Sequence, residues 1–327
     1  MRFLARRLGF LLVALWAALT VNFFIPRLMP GNPAESMMAT FRGRVNPSAL
    51  HALEAAFGLK SHQSLISAYI QYVNNTLHGN LGISISYFPI PVSTMIMRAL
   101  PWSLGLVGVS TVLGFILGTG LGAVAAWRRG GTLDSVLPPT FIVISAFPYF
   151  WVGLLSIWLF ALTLKWFPIL GGYTETASPT WNWPFIGDVL QHAVLPAFTI
   201  LITSIGGWIL TMRNNMITVV AEDYVKMARA KGLKPRRILW QYAGRNAMLP
   251  NLTGFAMSLG FVISGAILVE YVFNYPGLGF MLLQAVQNED YPLMQSLFLL
   301  ITVAVLLAIF VSDIVTAVLD PRTRIRS

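Results

Sequence analysis

The sequence predicts an all-α polytopic membrane protein with six transmembrane helices. Of its residues, 56% are hydrophobic and only 10% are charged, and the mean hydropathy is +0.69. A helix needs roughly 20 mostly apolar residues to cross a bilayer core about 30 Å thick. Six runs without charged residues meet or approach this length, and each is too long for a strand: 8–26, 99–127, 135–164, 189–212, 246–269 and 291–312.

The first run follows Arg2, Arg6 and Arg7, a pattern that a secretory signal peptide also shows. No small-x-small cleavage site follows this run, and five more spans do. We therefore interpret 1–26 as an N-terminal tail with a retained first helix. The rest of the chain divides into a segment on the far side of the membrane, a five-helix transmembrane core and a tail: 27–98, 99–320 and 321–327.

The distribution of Lys and Arg predicts the orientation. Sixteen of the 22 basic residues lie in the N-terminus, the 128–134 loop, the 213–245 loop and the C-terminal tail. Basic residues concentrate on the cytoplasmic side of membrane proteins, so both termini are expected in the cytoplasm and 27–98 outside. The net charge of +10 is then mainly a signal of topology, and we do not expect a nucleic-acid partner.

The outer segment 27–98 is predicted to form a small helical cap. One amphipathic helix is expected to begin at Asn46 and to end at Gly58. A second carries Leu65, Tyr69 and Tyr72 at helical spacing. The alternative is a surface loop with incidental helix.

Two features of the spans concern packing. Gly114, Gly118 and Gly122 stand four residues apart, a spacing that lets two membrane helices approach closely. They are candidates for an interface with a partner subunit, although packing within the same chain explains them equally well. The third run is expected to be kinked by its prolines, which are Pro138, Pro139 and Pro148.

Several classes of chemistry are missing from the sequence. There is no cysteine and no G-x-x-x-x-G-K-[ST], H-E-x-x-H or G-x-S-x-G motif. We therefore expect neither an enzyme nor a cofactor or metal site on this chain. Asp313 lies about two turns, roughly 10 Å, before Asp320 near the membrane surface. An intramembrane acid is a candidate for function, but we favour a structural role for Asp313, paired with a neighbouring Arg or with donors at a helix end. An ATP-independent carrier or channel remains an alternative.

The loop 213–245 holds eight basic residues and is predicted to form two short helices. Glu222 and Asp223 suit the N-terminus of the first, and Gly232 suits its end. The second runs from about Pro235 to Asn246. The first helix is expected to be amphipathic, with an apolar face that consists of Val220, Tyr224, Met227 and Ala228.

The pattern Asp-Tyr-Val-x-x-Ala-Arg-Ala-Lys-Gly-Leu at 223–233, followed by Arg-Asn-Ala-x-Leu-Pro at 245–250, resembles the cytoplasmic loop of ABC-importer permeases of the oligopeptide and dipeptide subgroup. Nearly the whole chain resembles that family, since RLMPGNPA, VEYVFNYPGLG, NEDYPLMQ and LDPRTR follow in family order. The long cap resembles the first permease of the pair. Two departures are Lys226, where the general importer motif has Glu, and Asn32, where the family often has Asp.

The resemblance implies a bacterial plasma membrane permease with no cofactor of its own. Its expected partners are a second homologous permease, two cytoplasmic ATPases that bind ATP and Mg, an extracytoplasmic solute-binding protein and membrane lipid. Peptides are the expected cargo, with oligosaccharides or nickel chelates as alternatives. The ATPase would contact a coupling helix and its flanks, where Ala228, Ala230 and Gly232 allow close approach. These residues are Glu222, Asp223, Tyr224, Met227, Ala228, Arg229, Ala230, Lys231, Gly232 and Leu233.

Overall fold

The computed structural model describes residues 2–28, 64–177, 179–180 and 182–319. Within these ranges the chain is helical and forms no β-sheet, which confirms the predicted class. The helices are α1 (Arg2–Leu28), α2 (Leu65–Leu77), α3 (Val92–Trp127), α4 (Thr132–Ala146), α5 (Tyr149–Thr163), α6 (Trp183–Val220), α7 (Asp223–Ala230), α8 (Pro235–Ala247), α9 (Leu249–Ser264), α10 (Ile267–Val272), α11 (Leu278–Gln287) and α12 (Tyr291–Leu319).

In the part of the chain that the structure describes, the helices provide up to six membrane spans. α1, α3, α6 and α12 are each long and apolar enough to cross a membrane. The pair α4 and α5, bent by 93°, and the pair α8 and α9, bent by 56°, each pass the same test together. These six spans correspond in order to the six apolar runs, so the predicted polytopic fold is confirmed by length and composition.

The bend between α4 and α5 lies at Pro148, one of the prolines from which the sequence predicts a kink. Phe147 has an extended backbone, with ψ of 138°, because the ring of a following proline disfavours the helical conformation. α5 then begins directly after Pro148. Pro138 and Pro139, by contrast, lie inside α4 without breaking it. The bend between α4 and α5 therefore has a local cause.

α3 and α6 are among the helices that extend beyond the predicted runs. α3 begins at Val92, seven residues before the predicted start at 99. α6 covers 183–220 rather than 189–212, and the side chain of Asn182 caps its N-terminus by accepting a hydrogen bond from the Phe185 amide at 2.8 Å. The first eight residues of the predicted 213–245 loop are thus helical. Hydropathy identifies only the apolar part of a helix, whereas the hydrogen-bonded backbone continues until a stop signal.

The second predicted cap helix is present as α2. Its N-terminus is capped by Ser64, whose hydroxyl accepts a hydrogen bond from the Ser67 amide at 3.3 Å. The first predicted cap helix, from Asn46 to Gly58, lies outside the described residues, as does Asn32.

At the centre of the bundle, α3 packs on α6 through Gly114, Gly118 and Gly122, which we call the glycine stripe. A methyl group on Gly118 would lie 2.5 Å from the Cβ atom of Trp208, and one on Gly122 would lie 3.0 Å from that of Met212. A methyl group on Gly114 would meet the same helix. Of the two alternatives left open for Gly114, Gly118 and Gly122, these contacts favour packing within the chain over an interface with a partner subunit. Their face is filled by the chain's own α6, because the absence of side chains lets the two helices touch.

Candidate coupling surface

α7 is the first helix of the predicted coupling loop, and its ends follow local rules. Glu222 precedes it in an extended conformation, with φ of −68° and ψ of 149°. Asp223 stands in the first turn, where the helix dipole favours an acid. The helix ends at Ala230, and Gly232 adopts φ of +72°, a left-handed conformation that glycine reaches without strain. The predicted stop at Gly232 is confirmed, and α8 begins at Pro235 as predicted.

One face of α7 is buried against the bundle. Val225 is fully buried and Ala228 is buried beside it, one helical turn further on. Both belong to an apolar group that we call the inner cluster. It joins α7 to α3, α6 and α8 and consists of Ala123, Ala126, Met212, Met216, Val225, Ala228, Ile238, Leu239, Ala243 and Ala247. α7 therefore packs against three other helices and is not an isolated helix in an exposed loop.

The opposite face of α7 is open to solvent. Residues follow one another at about 100° around a helix, so Asp223, Met227 and Ala230 share the side away from Val225 and Ala228. The side chain of Met227 is 59% exposed. Lys226 donates a hydrogen bond to Asp223 at 2.9 Å and lowers the pKa of that carboxyl group, although both side chains are largely exposed. An exposed methionine between a small residue and an ion pair can accommodate a partner's surface.

Two side chains brace the flanks of α7. The hydroxyl of Tyr224 accepts a hydrogen bond from the Asn246 amide group of α8 at 2.8 Å. The guanidinium carbon of Arg229 lies 5.2 Å from the ring centroid of Trp127, the last residue of α3, which is a cation–π distance. These contacts hold α7 against α8 and α3 from either side.

The predicted apolar face of α7 is wrong in two respects. Tyr224 and Met227 are exposed, whereas Val225, which was not expected to be buried, is inaccessible. Ala228 is buried against the chain, so it cannot offer a small surface to a partner. The helix is also interrupted at Ala221 and Glu222, after which α7 starts with a new phase. The residue Val220 at the end of α6 is therefore not in register with α7.

The remaining predicted coupling residues lie at the solvent side of the loop. Glu222, Ala230, Lys231 and Gly232 are exposed, and a methyl group on Gly232 would meet open space. Leu233 is half-buried against the inner cluster. The surface that the structure leaves open for a partner is thus made by Asp223, Lys226, Met227 and Ala230, extended by Lys231 and Gly232. We call this set the α7 outer face.

Asp313, the predicted intramembrane acid, forms an ion pair with Arg7. The Nη1 atom of Arg7 lies 2.8 Å from the Oδ2 atom of Asp313. The pair joins α1 to α12, and the partner of Asp313 is an arginine, one of the two kinds of partner that the sequence left open.

Two buried carboxylates at the opposite end of the bundle were not predicted as site residues. Glu270 is fully buried and accepts hydrogen bonds from the Ser103 hydroxyl at 2.7 Å and from the amides of Gly279 and Phe280 at 2.8 and 3.2 Å. Asp290 is likewise buried and accepts from the hydroxyl of Ser84. Both lie in motifs recognised from the sequence, VEYVFNYPGLG and NEDYPLMQ. The motifs could therefore have drawn attention to these two acids, but only the structure shows their hydrogen-bond partners.

Glu270 fastens the segment after α9 to α3. Ser103, on α3, donates to Glu270 and also accepts from the Leu278 amide at 2.8 Å. Gly265, Gly277 and Gly279 surround the carboxylate closely, so that added side chains would collide with it. Among the described residues, no group of three His, Cys, Asp or Glu side chains could hold a metal ion. The hydrogen bonds of Glu270 and Asp290 make both carboxylates internal acceptors.

The class of protein follows from a family match to residues 118–325, which is more than half of the chain. The match is to binding-protein-dependent transport system inner membrane components, and the chain belongs to this family. It is accordingly a non-catalytic permease subunit of an ABC importer in an inner membrane, and the alternative of an ATP-independent carrier or channel is set aside.

Individual relatives are similar over almost their whole length. The chain is 34% identical to the di/tripeptide transport system permease protein DppB of Pseudomonas aeruginosa, over 98% of both chains. It is 32% identical to the oligopeptide transport system permease protein AppB of Bacillus subtilis, over 92% of both. It is 31% identical to the dipeptide transport system permease protein DppB of Lactococcus lactis, over 99% of both.

Proposed function

We propose that this chain forms half of the membrane path of an ATP-driven importer for di-, tri- or oligopeptides. The peptide cargo is supported by the names of its relatives in Pseudomonas aeruginosa, Bacillus subtilis and Lactococcus lactis, each of which is a peptide permease. Oligosaccharides and nickel chelates are the alternative cargoes.

The proposed assembly has a second homologous permease, two cytoplasmic ATPase subunits that bind ATP and Mg²⁺, and an extracytoplasmic solute-binding protein. The excess of Lys and Arg in four segments supports an orientation with both termini and α7 in the cytoplasm. In that orientation α2 and the rest of 27–98 lie at the outer face. The hydrolysis of ATP belongs to the partners, and this chain contributes the path and its movement.

The observation that carries the proposal is the two-sided character of α7. On one side of α7, Val225 and Ala228 are buried in the inner cluster, while Met227 on the opposite side is exposed. A helix packed in this way moves together with α3, α6 and α8. A displacement of α7 by a docked ATPase would therefore be transmitted to these three helices. We therefore assign ATPase docking to the α7 outer face.

The test is to place a charge at the centre of the α7 outer face. Met227→Asp should leave the fold intact, because this side chain is exposed, but it should bury an unpaired carboxylate against the ATPase. Interface residues at the centre of a contact contribute about 2 kcal/mol or more, which corresponds to a roughly thirtyfold weaker association. We expect loss of ATPase co-purification and of peptide uptake, with normal amounts of the chain in the membrane.

Ala221→Asp is the matched control, since Ala221 is an exposed alanine just before α7 and outside the outer face. It should retain uptake and ATPase co-purification. Uptake of labelled dipeptides and longer peptides, in competition with an oligosaccharide and a nickel chelate, identifies the cargo in the same cells. Normal uptake and co-purification in Met227→Asp would refute the docking assignment.

A further inference from the structure

α2 carries an exposed apolar strip beside a polar one. Ile66, Ile70 and Leu77 are each more than 60% exposed and fall within about 40° of one another around the helix. Ser67 and Gln71 are exposed on the adjoining side of α2, at about 60° to 140° from Ile66 and Ile70 around the helix axis. The sequence from 61 to 97 contains no Lys, Arg, Asp or Glu. A helix on a water-facing surface normally carries charges on its open side, so this composition needs another explanation.

The remaining side of α2 is attached to α1 by two tyrosines. The hydroxyl of Tyr69 lies 2.8 Å from the hydroxyl of Thr20, and the hydroxyl of Tyr72 accepts a hydrogen bond from the Asn22 amide group at 2.9 Å. The ring of Phe23 lies between them, with its centroid 5.2 Å from that of Tyr69 and 5.7 Å from that of Tyr72. Ring packing and hydrogen bonds together fix the position of α2 along α1.

This attachment sets the depth of α2. The apolar span of α1 runs from Arg6 to Ile25. Thr20 lies five residues before that end, which is about 7 to 8 Å at a rise of 1.5 Å per residue. Tyr69 therefore reaches below the end of the apolar span. Helices that lie in a membrane surface bury their apolar face by about 5–10 Å, and tyrosine is enriched at that level.

The exposed surface of α1 continues at the same level. Val21 and Phe24 flank the Thr20 contact and are both exposed, as are Trp16 and Val13 further along the span. The apolar strip of α2 thus adjoins the apolar surface that α1 presents to the bilayer. Water would have to cover both surfaces if α2 stood clear of the membrane, which the hydrophobic effect opposes.

We propose that α2 is a membrane-surface helix, with Ile66, Ile70 and Leu77 in the lipid of the adjacent leaflet and Ser67 and Gln71 in water. The occupant of the apolar strip is phospholipid, not the solute-binding protein. The inference depends on the depth of α2 along α1, so it holds for either transmembrane orientation and for any cargo. If it is correct, the apolar strip of α2 is not the surface on which an extracytoplasmic protein docks.

The chain suits a labelling test because it has no cysteine. Single variants Ile66→Cys and Ile70→Cys probe the apolar strip, and Ser67→Cys and Gln71→Cys are the matched controls on the same helix. Each is purified with its associated subunits, labelled with an NBD fluorophore and reconstituted in vesicles of phosphatidylethanolamine and phosphatidylglycerol. Quenching by a nitroxide on the lipid acyl chains is compared with quenching by aqueous iodide. Retained uptake in each variant establishes that the protein is folded.

Labels at 66 and 70 should emit at shorter wavelength and be quenched more by the lipid nitroxide than by iodide. Labels at 67 and 71 should show the reverse order. Equal quenching by iodide at all four positions would overturn the proposal. It would also be overturned if the labels at 66 and 70 become shielded only after the solute-binding protein is added, because the strip would then be a protein-docking surface.

Discussion

The assignment of the glycine stripe to packing within the chain leads to a sharp prediction for Gly118. A methyl group there would lie 2.5 Å from the Cβ atom of Trp208 and 2.9 Å from the carbonyl oxygen of Ile205. Carbon atoms in contact are normally about 3.5–4.0 Å apart, so Gly118→Ala must separate α3 from α6 by about 1 Å. Inserting a methyl group into a packed core costs about 1–3 kcal/mol.

Gly120 provides the matched control. It stands on the same helix, and a methyl group there would have no neighbour within 4 Å. Both variants gain the same helix propensity, about 1 kcal/mol for replacing glycine by alanine. This gain cancels when the two are compared, so Gly118→Ala should be less stable than Gly120→Ala by about 1–3 kcal/mol.

The assay is thermal unfolding of the detergent-solubilised chain, followed by size-exclusion chromatography of a fluorescent fusion. Gly118→Ala should show a lower apparent melting temperature than Gly120→Ala. Equal temperatures for the two variants would refute the packing argument. If Gly118→Ala left the isolated chain unchanged and instead released the second permease, the stripe would be an interface between subunits.

Two further predictions concern buried and paired acids. Glu270→Gln replaces a carboxylate that accepts from the Ser103 hydroxyl and from two amides, so one buried donor loses its acceptor at a cost of about 1–3 kcal/mol. We expect a lower apparent melting temperature, and an unchanged temperature would contradict the role of Glu270 as the acceptor that holds this segment. Reversal of the Arg7 and Asp313 charges tests the other pair. Either single change should lower the amount of folded chain in the membrane, and the combined Arg7→Asp and Asp313→Arg variant should recover part of it. A purely additive result in this double-mutant cycle would show that the two residues do not interact.

The membrane fold could be predicted from the sequence because a continuous apolar run has few alternatives in a bilayer. The end of α6 could not, since nothing in the hydropathy distinguishes the polar turns at 213–220, which continue α6, from a loop. The stop at Gly232 was predictable because left-handed backbone requires a particular residue. The buried face of α7 was not, because Val225 and Ala228 are covered by residues of α3, α6 and α8, most of them distant in sequence.

The site was predictable to the extent that it is local in sequence. The loop after α6 and its two helices, to which we assign the coupling role, follow from short motifs, caps and spacing. The partner of Glu270 is Ser103, which is 167 residues away, and no periodicity links two positions at such a distance. The glycine stripe is a second feature that local sequence predicts only in part. Its spacing indicates close approach of a helix, but it does not say whether that helix belongs to the same chain.

α3 is the element that joins the two ends of the molecule. Near its C-terminus, α3 contributes Ala123 and Ala126 to the inner cluster, against which α7 packs. Near its N-terminus, the hydroxyl of Ser103 donates a hydrogen bond to Glu270. These positions are about 30 Å apart along one helix, at a rise of 1.5 Å per residue. Close contact through Gly118 prevents α3 from sliding freely past α6. A displacement applied at α7 should therefore move α3 and α6 together and reach the segment that Glu270 fastens. An importer whose ATP is hydrolysed on one side of the membrane needs such a connection, because its cargo enters on the other.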